Sequence, residues 1–309
     1  MQALLEVILP VFLVLGFGYV AVWRRYLSDE AVDGLMSFTQ NFAIPCLLFR
    51  AISTLDLGQD FDLALLGTFY TGAIAGFLAG LFGARLLFRR PWEDSVAIGF
   101  VTLFSNSVLL GLPITERAFG AGALGPNYAI VALHAPVCYI VGFTVMEIVR
   151  ARGGGLKAAA RSITRSMTRN GLMIGIALGF VFNVFALPVP QVAADALDLM
   201  ARAALPAALF GLGGVLYRYR PEGDAGTIAY ACAVSLVLHP AIVWLLGGWA
   251  QLSTGQLRSA VVTAAMAPGV NTYIFANIYG VGKRVAASAV LIGTALSVGS
   301  VWVWLAILP

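Results

Sequence analysis

Apolar stretches of about 20 residues recur along almost the whole 309-residue chain, and they constrain its fold more than any other feature. A helix of this length and composition can cross the hydrocarbon layer of a membrane. Only 11% of the residues are charged, whereas a soluble domain carries roughly 25%. Too few polar residues remain to cover a soluble fold, which excludes a cytosolic enzyme and a disordered protein. The sequence therefore predicts an all-α polytopic protein embedded in the lipid bilayer.

Turn and charge signals such as WRRYLSDE and FRRPWED divide the apolar sequence into ten predicted transmembrane helices. The first stretch has no basic segment before it and no cleavage site after it, so we expect a membrane helix and not a signal peptide. The ten predicted spans cover about 3–23, 31–53, 62–88, 94–116, 127–149, 170–187, 191–217, 225–250, 256–281 and 285–308.

Basic residues are concentrated in alternate linkers, which predicts the orientation of the chain. The linkers after odd-numbered spans contain 15 of the 19 Lys and Arg residues. Because cytoplasmic loops carry an excess of Lys and Arg, these linkers are predicted to be cytoplasmic and both termini extracytoplasmic. The same sorting indicates that the basic residues follow membrane topology, and no nucleic-acid partner is expected. The sorted residues are Arg24, Arg25, Arg85, Arg89, Arg90, Arg150, Arg152, Lys157, Arg161, Arg165, Arg169, Arg218, Arg220, Lys283 and Arg284.

The longest linker divides the chain into two halves of five spans. The predicted parts are a first repeat at 1–149, a cytoplasmic basic linker at 150–169 and a second repeat at 170–309. Equivalent spans carry similar interruptions: Pro206 follows Pro45 by 161 residues, and Asn271 follows Asn106 by 165. Because five is an odd number, the second half enters the membrane from the opposite side. The sequence thus predicts two inverted five-helix repeats, a common plan of secondary transporters.

Spans 4 and 9 contain the strongest interruptions. Proline and glycine disrupt helical hydrogen bonding, and serine and asparagine offer the freed backbone other partners. Irregular backbone inside a membrane is tolerated only where it is buried in protein or lines a wet cavity. The interrupting residues in span 4 are Ser105, Asn106, Ser107, Gly111 and Pro113, and those in span 9 are Pro268, Gly269, Asn271, Thr272 and Tyr273.

The two interruptions predict an anion site. If the antiparallel spans 4 and 9 cross at their breaks, the second half of each directs its N-terminus at the crossing point. Each N-terminus carries unpaired N–H groups and about +0.5 elementary charge. Together with Asn106, Ser105, Ser107, Asn271, Thr272 and Tyr273, these ends would bind a small carboxylate.

Spans 2 and 7 provide a second layer of candidates. Pro45 and Pro206 are predicted helix breaks, and the residues four positions earlier, Asn41 and Arg202, are candidate substrate-binding residues. An ionisable group at depth in a membrane is a functional candidate, so Arg202 would pair with an incoming carboxylate. The alternative is that Asp198, one turn away, neutralises Arg202.

Three titratable residues are candidates for proton coupling. His134, His239 and Asp198 lie within spans, and imidazole titrates in the useful range. A histidine before a proline is also a common structural hydrogen-bond donor, and both interpretations stay open. The three cysteines are isolated and no metal-binding spacing occurs, so neither a metal nor another cofactor is predicted.

The motifs NFAIPCLLF at 41–49, SNSVLLGLP at 105–113 and APGVNTYIFA at 267–276 resemble those of the auxin efflux carrier family. This family comprises plant auxin carriers and bacterial relatives, some of them associated with malonate or other small organic acids. The short central linker resembles the bacterial branch, which implies a location in the cell inner membrane.

The resemblance implies an elevator-type transporter. Spans 1, 2, 6 and 7 would form a scaffold that also forms a homodimer, and spans 3–5 and 8–10 would form a mobile transport domain. Asn106 and Asn271 would be the crossover asparagines near the substrate carboxylate, and Pro113 and Pro268 the associated prolines.

The leading hypothesis is a secondary active or facilitative transporter of a small organic anion, malonate-like or auxin-like. Sodium- or proton-coupled symporters and antiporters of related fold remain alternatives, although no carboxylate adjoins Asn106 or Asn271. A ligand sensor without transport is another alternative. An intramembrane enzyme is disfavoured, because Ser105-Asn106-Ser107 fits no protease nucleophile motif. The coupling ion and the direction of transport stay open.

Overall fold

The computed structural model describes residues 4–150 and 171–309, and helices dominate both ranges. The linker predicted at 150–169 lies outside the described residues except for Arg150. Seven of the described helices are long and apolar enough to cross a membrane, as expected of a polytopic membrane protein. They span Leu5–Trp23, Asp29–Ser53, Leu63–Leu86, Gly125–Arg150, Gln191–Arg218, Ala225–Trp249 and Lys283–Ile307.

The other three predicted spans, 94–116, 170–187 and 256–281, are not among these seven. The first and third are interrupted near their centres, and the second is described as the 14-residue helix Gly171–Val184. Their short helices fall below the length that crosses a bilayer without interruption.

The chain divides into two compact units, and each is built from several segments. The smaller unit comprises residues 10–61 and 171–218, and the larger comprises residues 4–9, 62–150 and 219–309. The smaller unit contains α1 (Leu9–Trp23, from residue 10), α2 (Asp29–Phe38), α3 (Ile44–Ser53), α8 (Gly171–Val184) and α9 (Gln191–Arg218). The larger unit contains α4 (Leu63–Leu86), α5 (Trp92–Leu103), α6 (Leu112–Phe119), α7 (Gly125–Arg150), α10 (Ala225–Ala233), α11 (His239–Trp249), α12 (Thr254–Ala264), α13 (Val270–Tyr279) and α14 (Lys283–Ile307).

Four prolines each follow a π-helical turn by two residues. Proline lacks an N–H group and crowds the carbonyl four residues earlier, and a widened turn relieves both problems while the helix continues. Pro45 is therefore not a helix break, because α2 runs through the π turn Thr39–Ala43 into α3. The other π turns are Leu4–Ile8 before Pro10, Ser107–Gly111 before Pro113 and Val234–Leu238 before Pro240.

Pro206 is not a break either, although the sequence predicted a helix break at this proline as well as at Pro45. It lies inside the continuous helix α9. Gly111 and Pro113 lie in the continuous segment formed by the π turn and α6, so the interruption of span 4 occurs before them.

Close backbone approach holds the smaller unit together. A side chain at Gly175 or Gly179 of α8 would collide with Pro45 or Ile52 of α3. Asn183 extends this contact by donating hydrogen bonds to the carbonyls of Ile52 and Leu55, both at 2.8 Å. Small residues in this pattern are typical of helix pairs in membranes, where polar groups also add hydrogen bonds between helices.

Candidate functional site

The two interrupted spans of the larger unit meet at their breaks. Residues 104–106 and 265–269 are non-helical, and Ser105 faces Pro268 in an isolated antiparallel bridge. The backbone N–H of Asn106 donates to the carbonyl of Ala267 at 2.8 Å. The N–H of Gly269 donates to the carbonyl of Phe104 at 2.9 Å. These two hydrogen bonds join the breaks into a crossover of two antiparallel segments.

Local chemistry explains why both helices restart immediately after the breaks. The Oδ1 atom of Asn106 accepts from the N–H of Leu109 at 3.2 Å and caps the segment formed by the π turn and α6. Asparagine is among the favoured residues for this capping role. On the other side, Gly269 is the N-cap of α13, and the Thr272 hydroxyl donates to its carbonyl at 2.8 Å.

Both restarting helices begin with their N-termini at the crossover. The N–H groups of Val270 and Asn271 have no backbone acceptor among the described residues. The first N–H groups of a helix lack intrahelical partners, and the helix dipole places about +0.5 elementary charge there. The crossover thus presents positive helix ends in the protein interior, an arrangement that favours an anion.

Asn106 also has a buried donor without a partner. The residue is 6% exposed, and its Nδ2 atom is buried with no hydrogen bond among the described residues. Buried amide donors are almost always paired, so this unpaired donor marks the crossover as a candidate ligand site.

The other predicted crossover residues lie in the two breaks or at the starts of the segments that follow them. Ser105, Ser107 and Thr272 are buried, and Asn271 and Tyr273 are half-buried. The ring of Tyr273 packs against Tyr219 with 5.1 Å between the ring centroids.

The middle of helix α7 contacts the crossover. The Nε2 atom of His134 lies 3.1 Å from the carbonyl oxygen of Ser105 and 3.4 Å from its hydroxyl. The imidazole ring also packs edge-on against Phe104, with centroids 4.8 Å apart. His134, a candidate for proton coupling, is therefore in direct contact with the first break.

The ends of α7 hold the half-helices on either side of the crossover. Near its start, the Nδ2 atom of Asn127 donates to Thr263 of α12 at 2.9 Å and to Thr115 of α6 at 3.3 Å. At its end, the Nη2 atom of Arg150 donates to the carbonyl of Tyr279 at 2.7 Å. The Nε atom of Arg150 lies 3.2 Å from the Oε1 atom of Glu93. A single unbroken helix thus contacts all four broken ones.

The contacts of Asn127 and Arg150 were not expected from the sequence. Both residues lie near span ends, where polar side chains usually face the membrane surface. The only sequence signal is that Asn127 begins an apolar span, and the partner Thr263 is 136 residues away.

His239 is buried without contact to the breaks. Its ring packs against Phe69 with centroids 5.6 Å apart, and its Nε2 atom has no hydrogen-bond partner among the described residues. The hydroxyl of Ser235, one turn earlier, is likewise buried and unpaired in this part of the chain.

The remaining candidates belong to the smaller unit. Asn41 is exposed and donates to Ser37 at 3.2 Å, and Arg202 is exposed on α9. Asp198 does not form a direct ion pair with Arg202 among the described residues. It accepts instead from two guanidinium nitrogens of Arg50, from Nε at 2.7 Å and from Nη2 at 3.2 Å.

The described residues contain no group of three or more His, Cys, Asp or Glu side chains placed to hold a metal ion. The polar atoms at the crossover are backbone, hydroxyl and amide groups, together with one imidazole.

Long apolar helices together with a polar crossover of two broken helices are typical of secondary transporters. The chain belongs to the membrane transport protein family, which includes the auxin efflux carriers; the family's sequence pattern matches residues 3–305.

Three relatives illustrate the range of this family. The "Putative malonate transporter" of Rhizobium meliloti (strain 1021) is 28% identical over 97% of this chain and 94% of its own length. "Uncharacterized transporter YfdV" of Escherichia coli (strain K12) is 22% identical over 90% of this chain and 88% of its own. "Probable auxin efflux carrier component 5a" of Oryza sativa subsp. japonica is 22% identical over 92% of this chain and 90% of its own length.

Proposed function

We propose that this protein transports a small carboxylate, malonate or a similar organic anion, and binds it at the crossover. The observation that carries the proposal is the buried and unpaired Nδ2 atom of Asn106 beside two helix N-termini. A carboxylate oxygen would accept from this donor and from the free N–H groups of α13. The relative named for malonate supports this substrate class.

The proposed fold has ten membrane crossings in two inverted repeats. The seven long helices, α8 and the two interrupted pairs, α5–α6 and α12–α13, make up the ten. The antiparallel pairing of Ser105 with Pro268 supports opposite directions for the two breaks. The charge sorting supports extracytoplasmic termini in an inner membrane.

The proposed mechanism is elevator-type alternating access. The larger unit would carry the anion, because it contains the whole crossover, and the smaller unit would serve as scaffold and dimer contact. In this mechanism Asn41 and Arg202 of the scaffold would contribute to the anion's path.

The direct test is malonate counterflow in proteoliposomes. Vesicles loaded with unlabelled malonate and containing the purified protein should accumulate labelled malonate. We expect Asn106→Ala and Asn271→Ala to reduce the initial rate at least about tenfold, because each removes a donor to the anion. The matched control is Asn277→Ala, which removes an exposed asparagine from the same helix as Asn271.

Three results separate the alternatives. Unchanged rates in both variants would contradict the crossover site. Binding of malonate without counterflow would indicate a sensor and not a transporter. Counterflow of labelled indole-3-acetate without counterflow of malonate would shift the substrate to the auxin-like class.

A further inference from the structure

We propose that His134 is a positioning residue that acts as a neutral hydrogen-bond donor and holds the first break in the shape that the anion site requires. The proposal assigns His134 a fixed role in place of proton exchange. The part of its test that measures malonate binding rests on the proposed function, whereas the part that measures hydrogen exchange at the break does not.

The first step is the direction of the hydrogen bond. A backbone carbonyl can only accept, so the proposal places the hydrogen on the Nε2 atom, which lies 3.1 Å from the Ser105 carbonyl oxygen and 3.4 Å from its hydroxyl. The same oxygen accepts from the N–H of Ser107 at 2.8 Å. Ser105 thus has its carbonyl fixed on two sides.

The second step is the tautomer. In a neutral imidazole that donates from Nε2, the Nδ1 atom is an acceptor. The thiol of Cys138, one turn further along α7, lies 3.7 Å from Nδ1 and 3.9 Å from Nε2, within range of a weak contact with the ring. A neutral imidazole can therefore donate to the Ser105 carbonyl beside the uncharged thiol of Cys138.

The surroundings favour this neutral form. His134 is 2% exposed and lies between Phe104 and Phe69, at centroid distances of 4.8 and 5.6 Å. The titratable groups facing it are Cys138, Tyr70, whose hydroxyl donates to the Ile130 carbonyl, and His239 on the other side of Phe69. No charged side chain among the described residues pairs with the imidazole.

The third step connects the carbonyl to the anion site. Asn106 follows Ser105 directly, and its N–H and side chain join the second break and cap the restarting helix. If the peptide group between Ser105 and Asn106 rotated away from His134, the backbone N–H of Asn106 would move with it. The hydrogen bond from His134 therefore determines where the unpaired Nδ2 atom points.

The chain offers a matched control, because it contains only two histidines. His239 is equally buried and packs against the same Phe69 ring, but it has no hydrogen bond to either break in the described structure. Replacing His239 removes a buried imidazole of the same size without removing the donor to Ser105.

The test compares His134→Leu, His134→Gln and His239→Leu in the full-length protein. Glutamine can place an amide N–H near the position of Nε2 and restore the donor, whereas leucine cannot. Hydrogen–deuterium exchange at the amides of Asn106 and Ser107 reports on the break without any ligand. Binding of malonate, measured by calorimetry, reports on the anion site.

We expect His134→Leu to accelerate exchange at these two amides about tenfold and to weaken malonate binding by a similar factor. His134→Gln should lie within about threefold of the wild-type protein in both measurements, and His239→Leu should leave both unchanged. Unchanged exchange in His134→Leu, equal effects of the two leucine variants, or failure of glutamine to restore slow exchange would overturn the positioning role. If the wild-type protein does not bind malonate, the proposed substrate is wrong, while the exchange comparison still decides the role of His134.

Discussion

At the scale of single residues, a buried polar group is stable where a partner is provided by another helix. Pro240 leaves the carbonyl of Leu236 without its usual helical donor. That oxygen accepts instead from Ser300 at 2.7 Å and from the indole N–H of Trp304 at 3.0 Å. These partners explain why α14 packs against the proline-containing helix and why the proline does not interrupt it.

Asp62 illustrates the same principle as the N-cap residue that precedes helix α4. Its carboxylate accepts from the N–H of Ala64 at 2.6 Å and from the Gln256 amide at 3.0 Å. Both hydrogen bonds favour the charged form, and the backbone one contributes more, so the pKa of Asp62 lies below its ordinary value. Its contribution to stability is complete above the pKa of the unfolded chain and is lost as the pH falls through the folded-state value.

This sign predicts an acid-dependent effect of a conservative substitution. The Asp62→Asn variant would keep a capping side chain that does not titrate. We therefore expect it to show a smaller fall in melting temperature than the wild-type protein between about pH 5 and pH 3. Thermal unfolding in detergent at a series of pH values measures this difference. Parallel pH profiles for the two proteins would contradict the assigned role of the carboxylate.

At the scale of helices, backbone contact between glycines and neighbouring helices fixes the smaller unit. A Cβ atom at Gly18 of α1 would collide with the backbone of Phe210 in α9, and one at Gly213 would collide with the backbone of Leu15. Backbone atoms cannot move aside as flexible side chains can. Helices α1 and α9 are therefore in contact at a distance that excludes any side chain at these two positions.

This contact predicts different effects of substitutions at glycines of these two helices. Gly18→Ala and Gly213→Ala should each destabilise the protein by about 1–3 kcal/mol, the usual cost of overpacking. Gly16→Ala is the matched control, because nothing lies within 4 Å of a Cβ at that position. Unfolding of purified variants by a graded denaturant measures the difference. Equal stability of Gly16→Ala and Gly18→Ala would show that the helices separate without cost.

The helical pattern also shows how far the sequence predicts the site. The positions of Asn106, Pro268 and Gly269 in the two breaks follow from local chemistry, because several helix-disrupting or backbone-competing residues occur together. Pro45 and Pro206 gave a wrong expectation because a single proline can be accommodated within a helix.

The contacts that the sequence did not predict depend on distant partners. Asp198 pairs with Arg50, 148 residues away, and not with Arg202 in the adjacent turn. Asn127 reaches two broken helices at once. Such pairings depend on how helices pack, which the composition and periodicity of a single span do not encode.

At the scale of the whole molecule, the proposed ten crossings determine which side of the membrane each linker faces. Tyr26 and Gln59 lie in the linkers on either side of the second predicted span, and both are exposed. The charge sorting assigns Tyr26 to the cytoplasm and Gln59 to the outside.

Cysteine labelling in intact cells tests this assignment. In a variant with its three native cysteines replaced by alanine, a membrane-impermeant maleimide should label Gln59→Cys in intact cells. Tyr26→Cys should react only after the membrane is permeabilised, because the reagent does not cross the bilayer. The cysteine-free parent provides the background signal. The reverse pattern would contradict the predicted orientation, and equal labelling of both positions in intact cells would contradict a crossing between them.

The proposed transport depends on the attraction of a carboxylate to the crossover, and one substitution tests that attraction directly. Asn106→Asp keeps an oxygen that can cap the N–H of Leu109 but replaces the unpaired Nδ2 donor with negative charge. Calorimetric titration of malonate into the wild-type and variant proteins measures the change. We predict that the variant unfolds cooperatively and binds malonate at least about a hundredfold more weakly, because a buried carboxylate repels the anion. Equal affinity in the two proteins would contradict an anion site at the crossover.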